Sequence, residues 1–346
     1  MSVGGAGSAD VPGNATRAAP GIDVLVPTCG RPAALAVMLA SIGAQDWPAL
    51  RVIVSDQSDG RGALAAPEVV AVLRYLQARG HKVNTWQHLP RRGMAEQRAF
   101  LLSQVRAPWC LFVDDDVILE PDLVRRLHAT LVAHGCGFAG SAVHGLSYRG
   151  QVRPAEENIA LWEGRVTPET VVPGSAAWRR HRLHSAANLF HVQSRARGLA
   201  ALAGVGLRDE WHHADAGADV DTDTDADVDV DADANVDADT DTDTDTDAAT
   251  AMAAAARAYR VAWVGGCVLF DSAKLRAVGG FDFWPELPDA HCGEDVLAQL
   301  RVMQAYGGCG VFPSGAYHME LPTTLNERMV DAPLALEAWR PVAEGA

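Results

Sequence analysis

Three consecutive aspartates, Asp114, Asp115 and Asp116, interrupt an apolar run that extends from Trp109 to Leu119. A run so rich in Phe, Val, Ile and Leu reads as a strand buried on both faces of a parallel sheet. Burying uncompensated carboxylates inside such a strand costs on the order of several kcal/mol each. The spacing therefore predicts a strand that ends at Val113 and presents the aspartates at its carboxyl end, where open α/β sheets bind ligands. Hard divalent cations prefer carboxylate oxygens, and Mg²⁺ commonly takes one or two carboxylates together with substrate phosphates. The plainer alternative is an acidic turn that caps the next helix. A second acidic pair, Glu294-Asp295, follows Gly293 and opens a helical pattern with Val296, Leu297, Leu300 and Met303 inward. The dipole of a helix N-terminus favours an ionised carboxyl, which suits a base. Acidic residues are also simply common in a first turn. His318, beside Tyr317 after the strand-like Val311-Phe312, is a candidate imidazole ligand or an ordinary hydrogen-bonded histidine.

The elements that must position these groups alternate. Ile22 to Pro27 reads as a strand, and Pro32 suits the first turn of a helix carrying Leu35, Met38, Leu39 and Ile42. Leu50 to Ser55 is a second strand, followed by a helix from Pro67 to Arg79, and Lys82 to His88 is a third strand. Arg91 to Arg98 opens a helix running to Gln104. Past the aspartates, Leu123, Leu127 and Leu131 mark a helix closed by Gly135. Strand alternating with helix predicts a mostly parallel, Rossmann-like sheet flanked by helices, with Thr28, Asp56 and Asp114 converging on one sheet edge. Farther on, Val261 to Phe270 is strand-like around Gly265 and Gly266, and the helix at Lys274 to Val278 stops at Gly279-Gly280. Val311-Phe312 reads as the last strand. The glycine pair would let a donor or acceptor approach the backbone closely. Trp284, in a loop ahead of the acidic pair, is the better candidate to stack on an acceptor than Trp178 or Trp263. His181, His184, His191, His212 and His213 have no convincing partner pattern and read as surface or local hydrogen-bonding residues.

The formal net charge of −15 over 346 residues is concentrated in one place. Fifteen of the 44 acidic residues are aspartates between Asp215 and Asp247, in a span with no Lys or Arg; the remaining 29 balance the 29 basic residues. That balance does not suggest a nucleic-acid-binding surface. In the tract Asp alternates with Thr, Ala or Val, so like charges repel and almost nothing apolar is buried; disorder is expected. A calcium loop would need a turn glycine and unequally spaced ligands. The six cysteines show no C-x-x-C and no zinc spacing, which suggests reduced thiols in a cytoplasmic setting. Residues 1–20 read as a disordered tail rather than a signal peptide, and no apolar run reaches the ~20 residues of a membrane helix.

In order, Val-Pro-Thr-x-x-Arg-Pro, Val-Ser-Asp-Gln-Ser, Phe-Val-Asp-Asp-Asp, Gly-Gly-Cys-x-Leu-Phe, Gly-Gly-Phe-Asp and Gly-Glu-Asp resemble the motifs of family-2 glycosyltransferases, across roughly residues 22–320. The resemblance implies an α/β GT-A fold in a single domain. A nucleotide-sugar half would span 21–135, and an acceptor half 136–214 and 248–322. The aspartate tract, 215–247, would be a disordered insertion and 323–346 a C-terminal extension. The resemblance also implies roles. Pro27, Thr28, Arg31, Gly93 and Arg98 would lie near the nucleotide and diphosphate, and Asp56 would hydrogen-bond the base, usually uracil. Asp114 would contact ribose, and Asp116 would hold Mn²⁺ or Mg²⁺, with Asp114 and His318 beside it; Asp115 would support them. Asp295 would be the catalytic base, and Glu294 its helper in acceptor binding. Gly265, Gly266 and Trp284 would face the acceptor. The family's usual Asn after the arginine is Ala99 here.

These roles describe an enzyme that moves one sugar from a nucleotide-diphosphate sugar, a UDP-sugar foremost, to a hydroxyl of a glycan, lipid-linked or small-molecule acceptor. A base accepts the proton of the attacking hydroxyl, and a cation stabilises the diphosphate leaving group. One base opposite the leaving group suffices for a single inverting displacement. The Gln-x-x-Arg-Trp signature of processive relatives is absent from the sequence. The expected location is cytoplasmic, with peripheral attachment at the inner face of a membrane left open. Two other readings stand beside this one: a sugar-phosphate nucleotidyltransferase, which shares the nucleotide and metal logic, and a noncatalytic nucleotide- or carbohydrate-binding protein with the same fold. Because closing a loop costs little more as it lengthens, excising residues 215–247 should leave folding intact. A melting temperature within a few degrees of the full chain, by calorimetry, is the expected result.

Overall fold

The computed structural model describes residues 21–145, 160–182, 256–324 and 329–337. The N-terminal tail, the aspartate tract, His184, His191, His212 and His213 lie outside these residues, as do most of 140–210 and the end of the C-terminal extension. In the first part of the chain β1 (Ile22–Thr28), β2 (Arg51–Asp56), β3 (Lys82–Gln87) and β4 (Trp109–Val113) alternate with α1 (Pro32–Gly43), α2 (Pro67–Ala78) and α3 (Met94–Ser103). These four strands are mutually parallel, in the order β3-β2-β1-β4. After α4 (Leu123–His134), β6 (Phe138–Gly140), β8 (Arg257–Tyr259), β9 (Cys267–Asp271) and β11 (Gly308–Phe312) complete an eight-stranded sheet ordered β3-β2-β1-β4-β9-β6-β11-β8. Six of the eight strands run one way; β9 and β8 are reversed. This is the α/β, mostly parallel arrangement that the sequence implied.

Alternation along the strands builds two apolar layers. Val24 and Val26 of β1, Val52 and Val54 of β2 and Leu111 and Val113 of β4 face α1 and α4, whose Leu35, Leu39, Leu127 and Leu131 are fully buried against them. Leu25, Ile53 and Phe112 face the other way, against Ala95 and Leu101 of α3 and Leu297 and Met303 of α6 (Glu294–Tyr306), which follows the short α5 (Ser272–Ala277). Burial on both faces explains why β4 reads as an unbroken apolar run and β1 as one interrupted only at Asp23, whose carboxylate is paired with Arg51. Strand β3 lies at the sheet edge and is largely exposed, as its polar sequence Lys-Val-Asn-Thr-Trp-Gln requires.

Two departures from the sequence reading matter for the site. Strand β9 begins only at Cys267 and pairs antiparallel with β4, Val113 opposite Cys267. Its start, not its end, therefore reaches the edge where β1 and β4 finish. Nor is β11 the last strand. β12 (Ala316–His318) and β13 (Val330–Asp331) follow, and β12 joins β5 (Val117–Leu119) and β7 (Val143–Gly145) in a small sheet of its own. That sheet sets His318 opposite Val117, directly after the aspartates.

The small sheet is held to α4 by Arg126, whose side chain is fully buried. Its Nε lies 3.0 Å from Asp122, and it donates to the carbonyls of Pro313 (2.5 Å) and Ser314 (2.8 Å) at the entry to β12. Glu120, 3.8 Å from the same guanidinium, accepts from Tyr317 Oη at 2.5 Å. Removing one member of a buried charge network strands its partners. Arg126→Ala should destabilise the fold by ~3–5 kcal/mol, measured by denaturant unfolding.

Candidate active site

The carboxyl ends of β1 and β4, the first turns of α3 and α6 and the start of β9 surround a cleft of about 370 Å³. Thirteen of the fifteen residues singled out from the sequence line it. Asp56 and Trp284 do not. Asp56 is fully buried at the end of β2; its Oδ1 accepts from Ser58 N at 2.8 Å and from Ser58 Oγ, and its Oδ2 accepts from Leu64 N at 3.2 Å. Both oxygens are engaged in ordering their own loop, and the cleft wall beside them is Gln57. Trp284 sits half-buried in a one-turn helix against the apolar layer of α3 and α6. Trp178 and Trp263 pack on each other, centroids 4.7 Å apart, outside the cleft.

The three aspartates part company in the turn after β4. Asp114 Oδ1 pairs with Arg98 Nη2 at 2.9 Å, and its backbone N–H donates to Gly266 O at 3.0 Å. Gly266 has φ +74, a backbone conformation that strains any other residue, and a Cβ there would press on Val143 at 3.1 Å. Asp115 points inward: it accepts from Thr28 Oγ1 at 2.6 Å and pairs with Arg31 Nη2. Its burial, against the pull of Thr28 and Arg31, raises its pKa to about 6. Asp116 Oδ2 lies 2.6 Å from Arg31 Nη1 and 3.6 Å from His318 Nε2. His318 Nδ1 accepts the N–H of Glu320 at 2.8 Å, so the neutral ring carries its proton on Nε2, facing Asp116. At 3.6 Å the ring faces the aspartate without a hydrogen bond to it. Ligation through Nε2 would need the opposite tautomer.

Arg98 joins the two acidic groups. It is buried, its Nε 3.1 Å from Glu294 and its Nη2 on Asp114. Burial works against its charge, and Asp114 and Glu294 more than restore it, so its pKa stands above the ordinary value. Asp295 follows Glu294 in the first turn of α6. Phe112, Phe270, Phe281 and Gln299 wall the small space behind it. Burial first, then the neighbouring Glu294, push its carboxyl up to about 7, against the opposing pull of Arg98. The helix dipole that favours its ionisation is worth only ~0.3–1 kcal/mol, less than the ~1.4 kcal/mol of a tenfold change in acidity.

Three residues at the site were not anticipated. Gln97 Nε2 donates to Ser55 O (2.7 Å) and Thr28 O (3.3 Å), tying the ends of β1 and β2 together. His291 bridges α3 and the acidic loop: Nε2 accepts from Ala95 N at 3.0 Å, and Nδ1–H donates to Pro288 O at 2.6 Å. A Cβ on Gly93, φ +88, would lie 2.6 Å from Asp289 O, so that contact needs glycine. Arg91 lines the cleft and donates to Thr324 O at 3.4 Å. Nothing in the spacing marks Gln97 or His291, whose partners are backbone groups of distant elements.

The cleft thus carries five carboxylates and three arginines. A nucleoside diphosphate would enter against a surplus of negative charge, which a divalent cation would offset. Among the described residues no group of three His, Cys, Asp or Glu could hold a metal unaided. Mg²⁺-type sites need only one or two carboxylates when phosphates complete the shell. Asp116, paired with the Arg31 guanidinium, and Asp114 two positions earlier fit that pattern.

Residues 23–184, just under half of the chain, match the model of glycosyl transferase family 2. No curated protein matches the sequence. Among solved structures, similarity extends to Staphylococcus aureus TarS 1–349 (12% identity, 92% of this chain and 62% of that one, TM-score 0.45). It extends also to the same protein in complex with UDP-GlcNAc (12%, 88% and 60%, TM-score 0.47). A third is the mannosyltransferase PcManGT from Pyrobaculum calidifontis in complex with GDP-Man and Mn²⁺ (14%, 84% and 56%, TM-score 0.41). The chain spans less than two thirds of the length of each. Among the described residues no helix is long and apolar enough to cross a membrane.

A carboxyl that is more basic in the folded chain than in the unfolded one binds its proton preferentially when folded. Asp295, raised from 3.8 to about 7, should therefore withdraw stability as pH rises across that interval. Asp295→Asn should melt above wild type at pH 8, and this gain should shrink as pH falls below about 7 and vanish only below 3.8.

Proposed function

We propose that this chain transfers one sugar from a nucleotide-diphosphate sugar to an acceptor hydroxyl, with inversion and without processivity. The observation that carries the reading is the convergence in one cleft of the Asp114–Asp116 turn and the Glu294-Asp295 pair, linked through Arg98. The family match to residues 23–184 supports the reaction class.

In this reading Asp295 takes the proton of the attacking hydroxyl. A base works best when its pKa lies near the operating pH, and Asp295 at about 7 meets that condition. Glu294 stays with Arg98 and orients the acceptor. Thr28, Arg31 and Gly93 face the diphosphate, and Gln57 stands where Asp56 was expected to reach the base. Asp116, with Asp114, would hold Mn²⁺ or Mg²⁺. The cation, when bound, supplies charge stabilisation to the departing diphosphate. The open mouth of the cleft, with Gly265 and Gly266 on one wall, is the side from which an acceptor would approach.

The test is release of nucleoside diphosphate from a panel of UDP-, GDP- and dTDP-sugars with Mn²⁺ or Mg²⁺. One donor should be hydrolysed slowly, faster as pH climbs through about 7. Asp295→Asn and Asp116→Ala should each lower the rate by ~10²–10⁴-fold. Pyrophosphate release from a nucleoside triphosphate and sugar phosphate would instead identify a nucleotidyltransferase. Failure of any nucleotide sugar to bind, by calorimetry, would identify a noncatalytic protein.

A further inference from the structure

Of the three arginines in the cleft, Arg31 is held differently from the other two. Arg98 is enclosed between Asp114 and Glu294 and is only 5% exposed. Arg91 is exposed and meets a backbone carbonyl. Arg31 rests on Asp115 and Asp116 together, keeps 21% of its side chain exposed, and has a buried Nε–H with no hydrogen-bond partner. Its Nη1, 2.6 Å from Asp116 Oδ2, occupies the carboxylate oxygen that also faces His318.

We propose that Arg31 is an exchangeable counter-ion: it neutralises Asp115 and Asp116 while no divalent cation is bound, and yields Asp116 to the cation when one arrives. The proposal rests on Asp116 being the metal ligand. A guanidinium and a metal ion held by one carboxylate repel each other at short range, so a cation on Asp116 loosens the hold of Arg31 there. The aspartates cannot be left bare either, since uncompensated buried carboxylates are costly. Arg31 meets both conditions: it balances the free site and has the exposure to move. Displaced from Asp116, it retains Asp115, and its second nitrogen and unpartnered Nε–H become donors for a phosphate group. A cation then binds weakly alone, because it must first evict Arg31, and more tightly when a diphosphate receives the released guanidinium. Coupling of that kind is reciprocal, so a cation also raises affinity for the diphosphate.

The experiment measures Mn²⁺ binding to the nucleotide-free full chain by electron paramagnetic resonance of unbound Mn²⁺. It compares wild type, Arg31→Gln, Arg31→Lys and each combined with Asp116→Asn. The aspartate tract of the same chain offers further carboxylates, so the relevant signal is the binding that Asp116→Asn removes. Arg31→Gln should bind Mn²⁺ at that site at least tenfold more tightly than wild type. Arg31→Lys, which keeps a cation on Asp116, should stay within about threefold of wild type and serves as the folded control. If Asp116→Asn removes binding but Arg31→Gln does not tighten it, the exchange is wrong while the metal assignment stands. If Asp116→Asn removes nothing in any background, the metal assignment fails and takes the exchange with it.

Discussion

Surplus negative charge at one sheet edge is the constraint on which the rest of this structure depends. Apolar burial positions the strands, but it cannot hold five carboxylates in one cleft. Four of them are held by guanidiniums, each shared between two acids: Arg31 between Asp115 and Asp116, and Arg98 between Asp114 and Glu294. Among the described residues Arg98 is the only side chain that joins the aspartate turn directly to the acidic pair by charge. Because it is buried, either partner alone would leave it undercompensated, so the end of β4 and the start of α6 are fixed relative to each other. Backbone contacts complete the frame. Gly266 O receives the N–H of Asp114, and Asp116 O receives the N–H of Met319, so the reversed strand β9 and the small sheet both end on the same turn.

The residues that could be read from the sequence are those whose chemistry conflicts with their surroundings. Aspartates in an apolar run must lie at a strand end, and acids after a glycine at a helical pattern must begin a helix. Alternation of strand and helix then brings β1, β2 and β4 to a common edge. The residues that escaped reading are those whose role depends on a partner far along the chain. Arg126 occupies a helix position that looks like a solvated face, yet its partners include carbonyls nearly two hundred residues away, so it is buried. His291 and Gln97 act on backbone groups, which leave no trace in side-chain patterning. The reversal of β9 was hidden because a buried strand shows the same apolar run in either direction.

Asp56 and Asp295 show a second limit. Each is an acid at the end or start of an element, the position that motif reasoning assigns to ligand contact or ionisation. What decides their state is solvent access. Asp56 turns into its own loop and spends its oxygens on Ser58 and Leu64. Asp295 backs onto Phe112, Phe270 and Phe281, and that apolar wall outweighs the helix terminus in setting its charge. Local sequence reports the dipole but not the wall, since the three phenylalanines come from three separate segments.

The two carboxyls with raised pKa mark where the charge balance is left incomplete. Asp115 is raised despite Thr28 and Arg31, and Asp295 despite Arg98. A chain selected only for stability would replace such groups with neutral ones, because each gives up folding free energy as the pH rises toward neutrality. Their position in the one cleft that also contains a displaceable guanidinium gives the imbalance a direction. A cation entering there lowers the energy of both acids at once, and an anionic ligand that takes up the released guanidinium lowers that of Arg31. On the proposed exchange, the unfavourable electrostatics of the free protein would become differential affinity for a cation and a diphosphate bound together, over either one bound alone.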